Sequence, residues 1–183
     1  NFEIMANNIL SNLKNKEILV TGGCGFIGSE IVKQLSLIGA NVTIIDNLSS
    51  GKEKYIQGLS NVKLVTADLL DDDAVRSAVK DKEYIINNAA LPFIPDSYYI
   101  PKKFFDVNVN ATISLALSAI KEKKVKRFVH ISSSEIYGTA RYTPMDENHH
   151  TIPQSTYAVS KLAGERVIFT MHKIGRASCR ERV

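Results

Sequence analysis

The string STYAVSKLAGERV contains a tyrosine and a lysine whose spacing allows them to move a proton together. Tyr157 and Lys161 are four residues apart, so on a helix they share one face and lie about 6 Å apart. An ammonium beside a phenol stabilises the phenolate, which makes Tyr157 a candidate general acid or base near neutral pH. Such pairs are also common on surface helices, so the interpretation depends on the rest of the chain.

The string HISSSEIYG supplies two further reactive side chains. It ends a predicted strand, and the carboxyl ends of strands are where open α/β sheets place their chemistry. Ser133 is a candidate hydrogen-bonding partner for a substrate hydroxyl near Tyr157, and Glu135 offers a carboxylate in the same region. The alternative is an ordinary transition from strand to loop with one solvated charge.

Three glycines at intervals of three predict a phosphate-binding turn. Gly22, Gly25 and Gly28 follow the strand-like run KEILV and precede a helical pattern. The apolar residues of that pattern are Ile27, Ile31, Leu35 and Ile38. A strand, a glycine turn and a helix N-terminus together form the geometry that seats a pyrophosphate. Glycines alone are a weak signal, since many turns need them for structural reasons.

Two aspartates strengthen the dinucleotide interpretation. Asp46 closes the second predicted strand, where a carboxylate accepts hydrogen bonds from the adenosine ribose and repels a 2′-phosphate. This favours NAD over NADP, and the alternative is a simple turn residue. Asp68 closes the third predicted strand, where it is a candidate contact for the adenine edge or the N-cap of the next helix.

Strand and helix patterns alternate from Lys16 onward and predict a Rossmann-type, doubly wound parallel sheet of the α/β class. The expected strand order is 3-2-1-4-5, with the cofactor beside strand 1. The predicted strands are EILVTG, NVTIID, VKLVTAD, YIINNAA and VKRFVHISSS. The predicted helices are FIGSEIVKQLSLIG, capped by Gly39, then LLDDDAVRSAVKD, KKFFDVNVNATISLALSAIKEKK and STYAVSKLAGERVIFTMHK. The string ALPFIPDSYYIP is predicted to be a loop.

Composition indicates one globular, cytoplasmic domain. The chain has 183 residues, of which 44% are hydrophobic and 23% are charged, and no apolar run is long enough to cross a bilayer. We therefore expect no membrane partner. Cys24 and Cys179 form neither a disulfide framework nor a metal-binding spacing. His149 and His150 are predicted to be surface residues rather than ligands, so no metal site is expected.

Both ends of the sequence carry features of a fragment. The string IGRASCRERV, Ile174–Val183, is the literal translation of a common sequencing-adapter sequence, and we expect it to be read-through. Without its three arginines and one glutamate the net charge falls from +4 to +2. A charge this small does not indicate binding to nucleic acid. The NAD-binding domain is then expected to span residues 1–173, with Met5 as the more plausible natural start.

The motifs TGGCGFIG, NNAA, NVNAT, SSSEIYG and YAVSK occur in this order and, together with Asp46, resemble the extended short-chain dehydrogenases/reductases. The resemblance is to the NAD-dependent nucleotide-sugar epimerases and dehydratases of that family and covers Lys16 to about Lys173. It implies a tightly held NAD and a nucleotide-activated sugar substrate. It also implies a homodimer formed by the helices around residues 102–122 and 155–172.

The resemblance assigns roles to particular residues. Tyr157 would take the proton of the sugar 4-hydroxyl while hydride leaves C4, with Ser133 and Lys161 assisting. Residues implied to bind NAD are Gly22, Gly25, Phe26, Ile27, Gly28, Asp46, Asn47, Asp68, Leu69, Asn88, Ala89, Ala90, Asn108, Tyr157 and Lys161.

Glu135 decides which reaction the resemblance implies. A 4,6-dehydratase needs a carboxylate base for the C5 proton, whereas a 4-epimerase only rotates and re-reduces the 4-keto sugar. The string from Ser132 to Lys161 looks like the 4,6-dehydratases that act on nucleotide-activated N-acetylglucosamine in the legionaminic acid pathway. The alternatives are a 4-epimerase, a UDP-glucuronate decarboxylase and, in another class, a non-catalytic NAD-binding module. The Tyr157–Lys161 pair and Ser133 argue against the last.

Several departures from the family pattern matter. Ser134 stands where many dTDP-glucose dehydratases have an aspartic acid, which leaves the acid for the departing hydroxyl unassigned. Asn87 stands where much of the family has histidine. The family also continues into a sixth strand and a C-terminal substrate region. We therefore expect the 183-residue chain by itself to bind NAD weakly and to be inactive.

Overall fold

The structure is a computed structural model that describes residues 12–173, with side chains to residue 171. Met5, the expected natural start, and Ile174–Val183, the expected read-through, lie outside the described residues. Within residues 12–173, five parallel strands form one sheet in the order β3-β2-β1-β4-β5. Their bounds are β1 Glu17–Thr21, β2 Asn41–Asp46, β3 Val62–Thr66, β4 Tyr84–Asn87 and β5 Arg127–His130. The predicted fold class and strand order are confirmed.

The strand register brings the carboxyl ends of the strands to one edge. Thr21 of β1 pairs with Ile45 of β2 and with Asn87 of β4, and Asn87 pairs with His130 of β5. The chain reverses its direction of winding between β1 and β4, which opens a crevice beside β1. Every motif singled out in the sequence follows one of these strand ends or lies on a helix packed beside them.

Six α-helices connect and cover the strands in the described part of the chain. They are α1 Phe26–Leu37, α2 Asp72–Val79, α3 Ile94–Tyr99, α4 Pro101–Phe105, α5 Ala111–Lys121 and α6 Thr156–Lys173. Short 3₁₀ turns span Glu53–Tyr55 and Ser134–Tyr137, and a π-helical turn, Asp106–Asn110, separates α4 from α5. None of these helices is both long enough and apolar enough to cross a membrane.

Two helical regions differ from the sequence-based expectation. The predicted loop after β4 contains α3, because Pro95 lies in the first turn of a helix, where its missing N–H costs no hydrogen bond. The predicted long helix after Pro101 is interrupted by the π-helical turn. Such turns mark places where a helix accommodates a special side-chain position, here that of Asn108.

The core lies on both faces of the sheet. On one face, Leu19 of β1 packs with a cluster supplied by β2, β4, β5 and helices α2, α5 and α6. On the other, Ile18 and Val20 pack with β2 and α1. Full burial of one such aliphatic side chain stabilises the fold by about 1.5–3 kcal/mol, so β1 with its two buried faces anchors the sheet.

Helix α1 begins at Phe26 and is followed by Gly39, as predicted. Gly39 adopts φ +80° just past the helix, and its N–H and that of Ala40 cap the last carbonyls, as predicted. Leu35 is buried, but Ile27 is 58% exposed and does not join the core. Ile27 lies where the helix begins, at the open edge of the sheet.

Candidate functional site

The glycine-rich turn is shaped so tightly that side chains do not fit at two of its positions. Gly22 has φ +65°, and a Cβ there would lie 2.8 Å from the Ala89 Cα atom. A Cβ on Gly28 would lie 2.0 Å from the Gly22 carbonyl oxygen. Gly25 donates its N–H to that same carbonyl at 3.1 Å. The turn therefore presses the start of α1 against β1 and the loop after β4, which requires glycine.

The N-terminus of α1 is open toward the crevice edge. Gly25 is the N-cap residue, and no side chain in the described part of the chain caps this helix. Phe26 and Ile27 are exposed beside it. Uncapped first-turn N–H groups at the positive end of a helix dipole bind anions, so the turn can hold a pyrophosphate.

The carboxylate of Asp46 is held by the backbone beside this turn. It accepts hydrogen bonds from the Cys24 N–H and the Leu48 N–H, both at 2.9 Å. A Cβ on Gly51 would lie 3.1 Å from Asp46 Oδ1, so the loop after β2 folds closely over the carboxylate. Each carboxylate oxygen has two lone pairs, so both can also accept a ribose hydroxyl.

Asn47 and Asp68 meet at the neighbouring strand ends. The Asn47 side chain donates to Asp68 Oδ2 at 3.0 Å, and Asp68 Oδ1 accepts from the Leu70 N–H. The alternative role for Asp68 as a helix N-cap was wrong, because Asp71 caps α2. Leu69 directs its side chain into the core, so only its backbone is available to a ligand.

The thiol of Cys24 is enclosed within the glycine turn. It is fully buried, and burial, followed by the Asp46 and Glu53 carboxylates, raises its pKa to about 11. A neutral, buried thiol behaves as a small apolar group. Cys24 therefore fills space under the loop after β2 and has no chemical role at the site.

Thr21 organises the loop after β4. Its hydroxyl accepts the N–H groups of Asn88 and Ala89 at 3.1 and 3.0 Å and donates to Asn87 Oδ1 at 2.8 Å. The Asn88 side chain donates to the Gly22 carbonyl at 3.3 Å. The predicted cofactor residues Asn88 and Ala89 are thus held against the glycine turn, and Ala90, which follows them, is half-buried.

Asn87 links β1, α5 and β5 at the buried carboxyl edge of the sheet. Besides accepting from Thr21, its Nδ2 donates to Thr112 Oγ1 and to His130 Nδ1, each at 3.1 Å. Asn87 is buried, and its amide suits this position because it offers one acceptor and two donors. The departure from the family histidine is therefore fully accommodated in the network.

His130 is a neutral imidazole between β5 and α6. Since its Nδ1 accepts from Asn87, its proton resides on Nε2, which has no hydrogen-bond partner in the described part of the chain. Burial, with a smaller contribution from Lys161, lowers the pKa of His130 to about 3. A Cβ on Gly164 would lie 3.4 Å from Nε2, which shows how closely α6 approaches β5.

Asn108 is a structural clamp rather than an exposed cofactor contact. Its Oδ1 accepts from the Leu91 N–H at 2.9 Å, and its Nδ2 donates to Ser160 Oγ at 2.9 Å. The side chain is buried and these bonds use its amide. Asn108 therefore ties the loop after β4 to α6 and acts through its neighbours.

Lys161 is buried at the carboxyl end of β5. Its Nζ donates to the Ile131 carbonyl at 2.7 Å, and the residue is only 3% exposed. Burial lowers its pKa to about 8. The ammonium is thus fixed in position and holds its proton less tightly than an ordinary lysine does.

Tyr157 lies one helical turn before Lys161. Its ring is half-buried and stands edge-on to Phe104 of α4, with ring centroids 6.4 Å apart. Its backbone carbonyl accepts from Ser160 Oγ at 2.7 Å, which links it to the Asn108 clamp. The phenol is therefore presented from a helix that is anchored on two sides.

Ser133 and Glu135 share one 3₁₀ turn that packs against α6. Ser133 Oγ accepts the Glu135 N–H at 3.2 Å, and Ser132 Oγ donates to Glu165 of α6 at 2.9 Å. Glu135 is exposed and Ser133 is half-buried. The structure thus brings the four predicted catalytic residues onto two packed elements at the same sheet edge.

The sequence analysis missed most of the residues that support the site. Thr21, Thr112, His130 and Ser160 carry its hydrogen-bond network. Two signals pointed to them: polar residues closing otherwise apolar strands, and a serine next to Lys161 on the helix. The interpretation of His149 as a surface residue was wrong, since it is 3% exposed.

Comparisons with known proteins agree with this geometry. A sequence model of the family described as GDP-mannose 4,6 dehydratase matches residues 19–179. A putative UDP-glucose 4-epimerase of Methanocaldococcus jannaschii is 39% identical over 82% of this chain and 49% of its own length. A dTDP-glucose 4,6-dehydratase of Streptomyces niveus is 34% identical over 85% of this chain and 48% of its own.

Among solved structures, the dTDP-glucose 4,6-dehydratase of Streptomyces venezuelae, with NAD and TYD bound, superposes with a TM-score of 0.84 and 28% identity. That match covers 90% of this chain and 54% of the other. The chain thus spans about half the length of the relatives it matches. It belongs to the GDP-mannose 4,6-dehydratase family, among the nucleotide-sugar epimerases and dehydratases of the extended short-chain dehydrogenases/reductases.

Proposed function

We propose that this protein binds NAD and converts a nucleotide-activated sugar to its 4-keto-6-deoxy form, as a 4,6-dehydratase. The cofactor assignment is supported by the turn at Gly22 and Gly28, where a Cβ would collide with backbone atoms, and by the uncapped start of α1. The Asp46 carboxylate, held between two backbone N–H groups, suits a ribose diol and opposes a 2′-phosphate. Bound NAD supplies a hydride acceptor for sugar C4.

The chain's own residues handle the protons and the orientation of the sugar. Tyr157 takes the proton of the 4-hydroxyl, and Ser133 hydrogen-bonds that hydroxyl and keeps it aligned. Lys161 stabilises, by its positive charge, the phenolate form of Tyr157 that accepts this proton, from a position fixed by the Ile131 carbonyl. The pKa of Lys161, lowered to about 8 by burial, still leaves most of the ammonium charged at pH 7.

Glu135 supplies the base that dehydration requires and epimerisation does not. It takes the C5 proton while the 6-hydroxyl departs with a proton as water, after which the hydride removed from C4 is returned to C6 and a proton to C5. The single observation that carries this proposal is the hydrogen bond from the Glu135 N–H to Ser133 Oγ at 3.2 Å. Because one short turn carries both residues, the hydroxyl-binding group and the residue that bears the carboxylate are presented from the same backbone segment. The N-acetylglucosamine derivatives of UDP or GDP remain our proposed substrates.

The experiment that tests this assignment replaces Glu135 by glutamine in the protein expressed from its natural gene. We expect loss of water from UDP- or GDP-N-acetylglucosamine, measured by mass spectrometry, to fall at least ~100-fold, in the range of general-base contributions. Glu135→Asp, which retains a carboxylate, is the matched variant and should keep measurable dehydration. Equal dehydration by Glu135→Gln and the native protein would contradict the role of Glu135.

A 4-epimerase is the second candidate, and it is supported by relatives such as the putative UDP-glucose 4-epimerase, 39% identical to this chain. This alternative uses the same Tyr157, Ser133 and Lys161 and leaves Glu135 outside the chemistry. Glu135→Gln should then retain full turnover, with a product of unchanged mass and inverted C4 configuration.

The 183-residue chain alone is proposed to bind NAD weakly and to lack turnover, because it spans about half the length of the relatives it matches. Binding experiments can therefore use this chain, whereas turnover assays use the protein from its natural gene. Turnover of a UDP- or GDP-sugar by the 183-residue chain would contradict this proposal.

The proposed assembly is a cytoplasmic homodimer formed by α5 and α6. Leu117 of α5, with Val159 and Phe169 of α6, is among the more exposed large apolar residues, at 45%, 41% and 48%. Pairing of two copies would cover such residues. Sedimentation should give a dimer for the native protein and a monomer for Leu117→Glu; a native monomer would contradict the proposal. The free thiol of Cys24 is compatible with a reducing compartment.

A further inference from the structure

The loop between the 3₁₀ turn and α6 closes on itself. Gly138 has φ +68°, and a Cβ there would lie 2.1 Å from the Ile152 carbonyl oxygen. The Gln154 side chain donates to Thr139 Oγ1 at 2.9 Å just outside this contact. We call residues 139–152 the closed loop. Compact loops whose ends touch and whose own side chains fill them are frequently functional.

His149 is the centre of the closed loop. It is 3% exposed, although its neighbour His150 is exposed. Its ring stands edge-on to Tyr137, with centroids 5.7 Å apart, and packs at 4.7 Å against Tyr142. Since Tyr137 ends the turn that carries Glu135, His149 is the link between the closed loop and that turn.

Both ring nitrogens of His149 are used, and in different ways. Nε2 accepts the Arg141 N–H at 3.0 Å, so it carries no proton. Nδ1 lies 3.0 Å from the His150 carbonyl, which only accepts, so Nδ1 carries the proton. A second proton on Nε2 would face the Arg141 N–H and break that bond. The closed loop is therefore built around a neutral histidine.

Three residues flank the His149 ring. Tyr137 faces it from the 3₁₀ turn, and Tyr142 faces it from within the loop. The Asp146 carboxylate accepts from Tyr142 Oη at 2.7 Å. The Arg141 N–H already occupies the lone pair of His149 Nε2. Protonation therefore requires the loop to give up its central hydrogen bond.

We propose that His149 is a positioning residue for the sugar site: in its neutral form it clamps the closed loop onto the turn that carries Ser133 and Glu135, and its protonation releases the loop. The catalytic consequence rests on the proposed nucleotide-sugar chemistry, whereas the clamp itself does not. The clamp is a physical property of the described chain and can be measured without any substrate.

The first experiment measures amide exchange of Arg141 by NMR in the 183-residue chain. Relative to a random coil, the Arg141 N–H should be protected at neutral pH, and its protection should decline along the titration curve of the His149 ring. The variant His149→Phe keeps an aromatic ring but has no acceptor, and should lose at least ~10-fold of this protection, the equivalent of one ~1.4 kcal/mol hydrogen bond. His150→Gln, the matched control, should retain it.

Two further observations keep this experiment decisive. Amides of β1 should stay protected in His149→Phe, which shows that the chain is folded. If they do not, His149→Gln replaces it; its amide oxygen accepts but does not become protonated, so the Arg141 amide should stay protected at the pH values where the native protection declines. The ring nitrogens of His149 should give the NMR signature of a protonated Nδ1. An Arg141 amide equally protected in His149→Phe, or a proton on Nε2 at neutral pH, would overturn the proposal.

The second experiment measures turnover and NAD binding in the protein from its natural gene. His149→Phe should lower kcat/KM for the nucleotide sugar about tenfold while the dissociation constant for NAD is unchanged. Unchanged kcat/KM alongside a lost clamp would overturn the positioning role. A native protein that shows the clamp but turns over no nucleotide sugar would instead contradict the proposed function, so the two failures are distinguishable.

Discussion

Asn108 donates its side-chain amide to the hydroxyl of Ser160 at a distance of 2.9 Å, and this bond joins the π-helical turn to the helix that carries Tyr157 and Lys161. The same asparagine accepts the Leu91 N–H. One buried amide thus fixes the loop after β4 relative to α6. The close packing of α6 against the π-helical turn is visible at Gly164, where a Cβ would lie 2.8 Å from the Asn108 carbonyl oxygen.

The Asn108–Ser160 pair should show energetic coupling. Asn108→Ala leaves the Leu91 N–H without its acceptor and should lower the free energy of unfolding by about 1–3 kcal/mol, whereas Ser160→Ala should cost about 1 kcal/mol. In the double variant the losses should fall short of additivity by at least ~0.5 kcal/mol, as for residues in one network. Urea unfolding of the native protein, the two single variants and the double variant measures this coupling. Strict additivity would contradict the Asn108–Ser160 link.

Gly28→Ala should abolish NAD binding. Its Cβ would lie 2.0 Å from the Gly22 carbonyl, so the turn and the start of α1 must separate. Isothermal titration should show a loss of affinity of at least ~100-fold, or about 2.7 kcal/mol. Gly58→Ala is the control: it also introduces strain, at φ +74°, but nothing lies within 4 Å of its Cβ. That variant should bind NAD normally, and equal binding by both would exclude the proposed cradle.

Lys161 should make the fold more stable as pH rises from 8 toward 10.5. Its pKa is about 8 in the folded chain against an ordinary 10.5, so in this window the unfolded chain binds more protons. The stabilisation is complete above pH 10.5 and is lost as pH falls through 8. The free energies of unfolding of the native chain and of Lys161→Met, measured in urea at each pH, isolate the contribution of Lys161, because the two proteins share their other titrating groups. We expect a difference of about 2–4 kcal/mol across the window; parallel pH profiles would contradict a buried lysine.

Cys24 should resist alkylation. With a pKa of about 11, only ~0.1% of the thiol is ionised at pH 8, and burial restricts access further. In a Cys179→Ser background, where Cys24 is the one remaining cysteine, iodoacetamide should react at least ~100-fold more slowly than with a free thiol. Adding urea should restore the ordinary rate, and a fast reaction in the folded chain would contradict the enclosure of the Cys24 thiol under the loop after β2.

The sequence was sufficient to predict the sheet and the edge at which the site lies. Strand Asn41–Asp46 is predicted to the residue, because an apolar run ends in a single aspartate. Gly39 was identifiable as a cap because only a residue that tolerates positive φ ends a helix in this way. The alternation of strands and helices then determined the strand order, since right-handed crossovers leave few choices.

The supporting network was not predictable from local patterns. Asn87 and His130 are 43 residues apart in the chain, and only the register of β4 and β5 brings their side chains together. His149 illustrates the same limit, since polar loops rarely bury a histidine and its two tyrosine contacts are set by the loop's own closure. The π-helical turn at Asn108 is likewise determined by the tertiary hydrogen bonds of that residue and not by helix propensity.

The most direct test follows a deuterium atom placed at C4 of UDP- or GDP-N-acetylglucosamine, with the protein from its natural gene. A 4,6-dehydratase in which Tyr157, Ser133, Lys161 and Glu135 act as proposed transfers that atom to C6 of a product that has lost water. We predict deuterium at C6, detected by NMR. Deuterium returned to C4 with inverted configuration, in a product of unchanged mass, would contradict dehydration and identify a 4-epimerase.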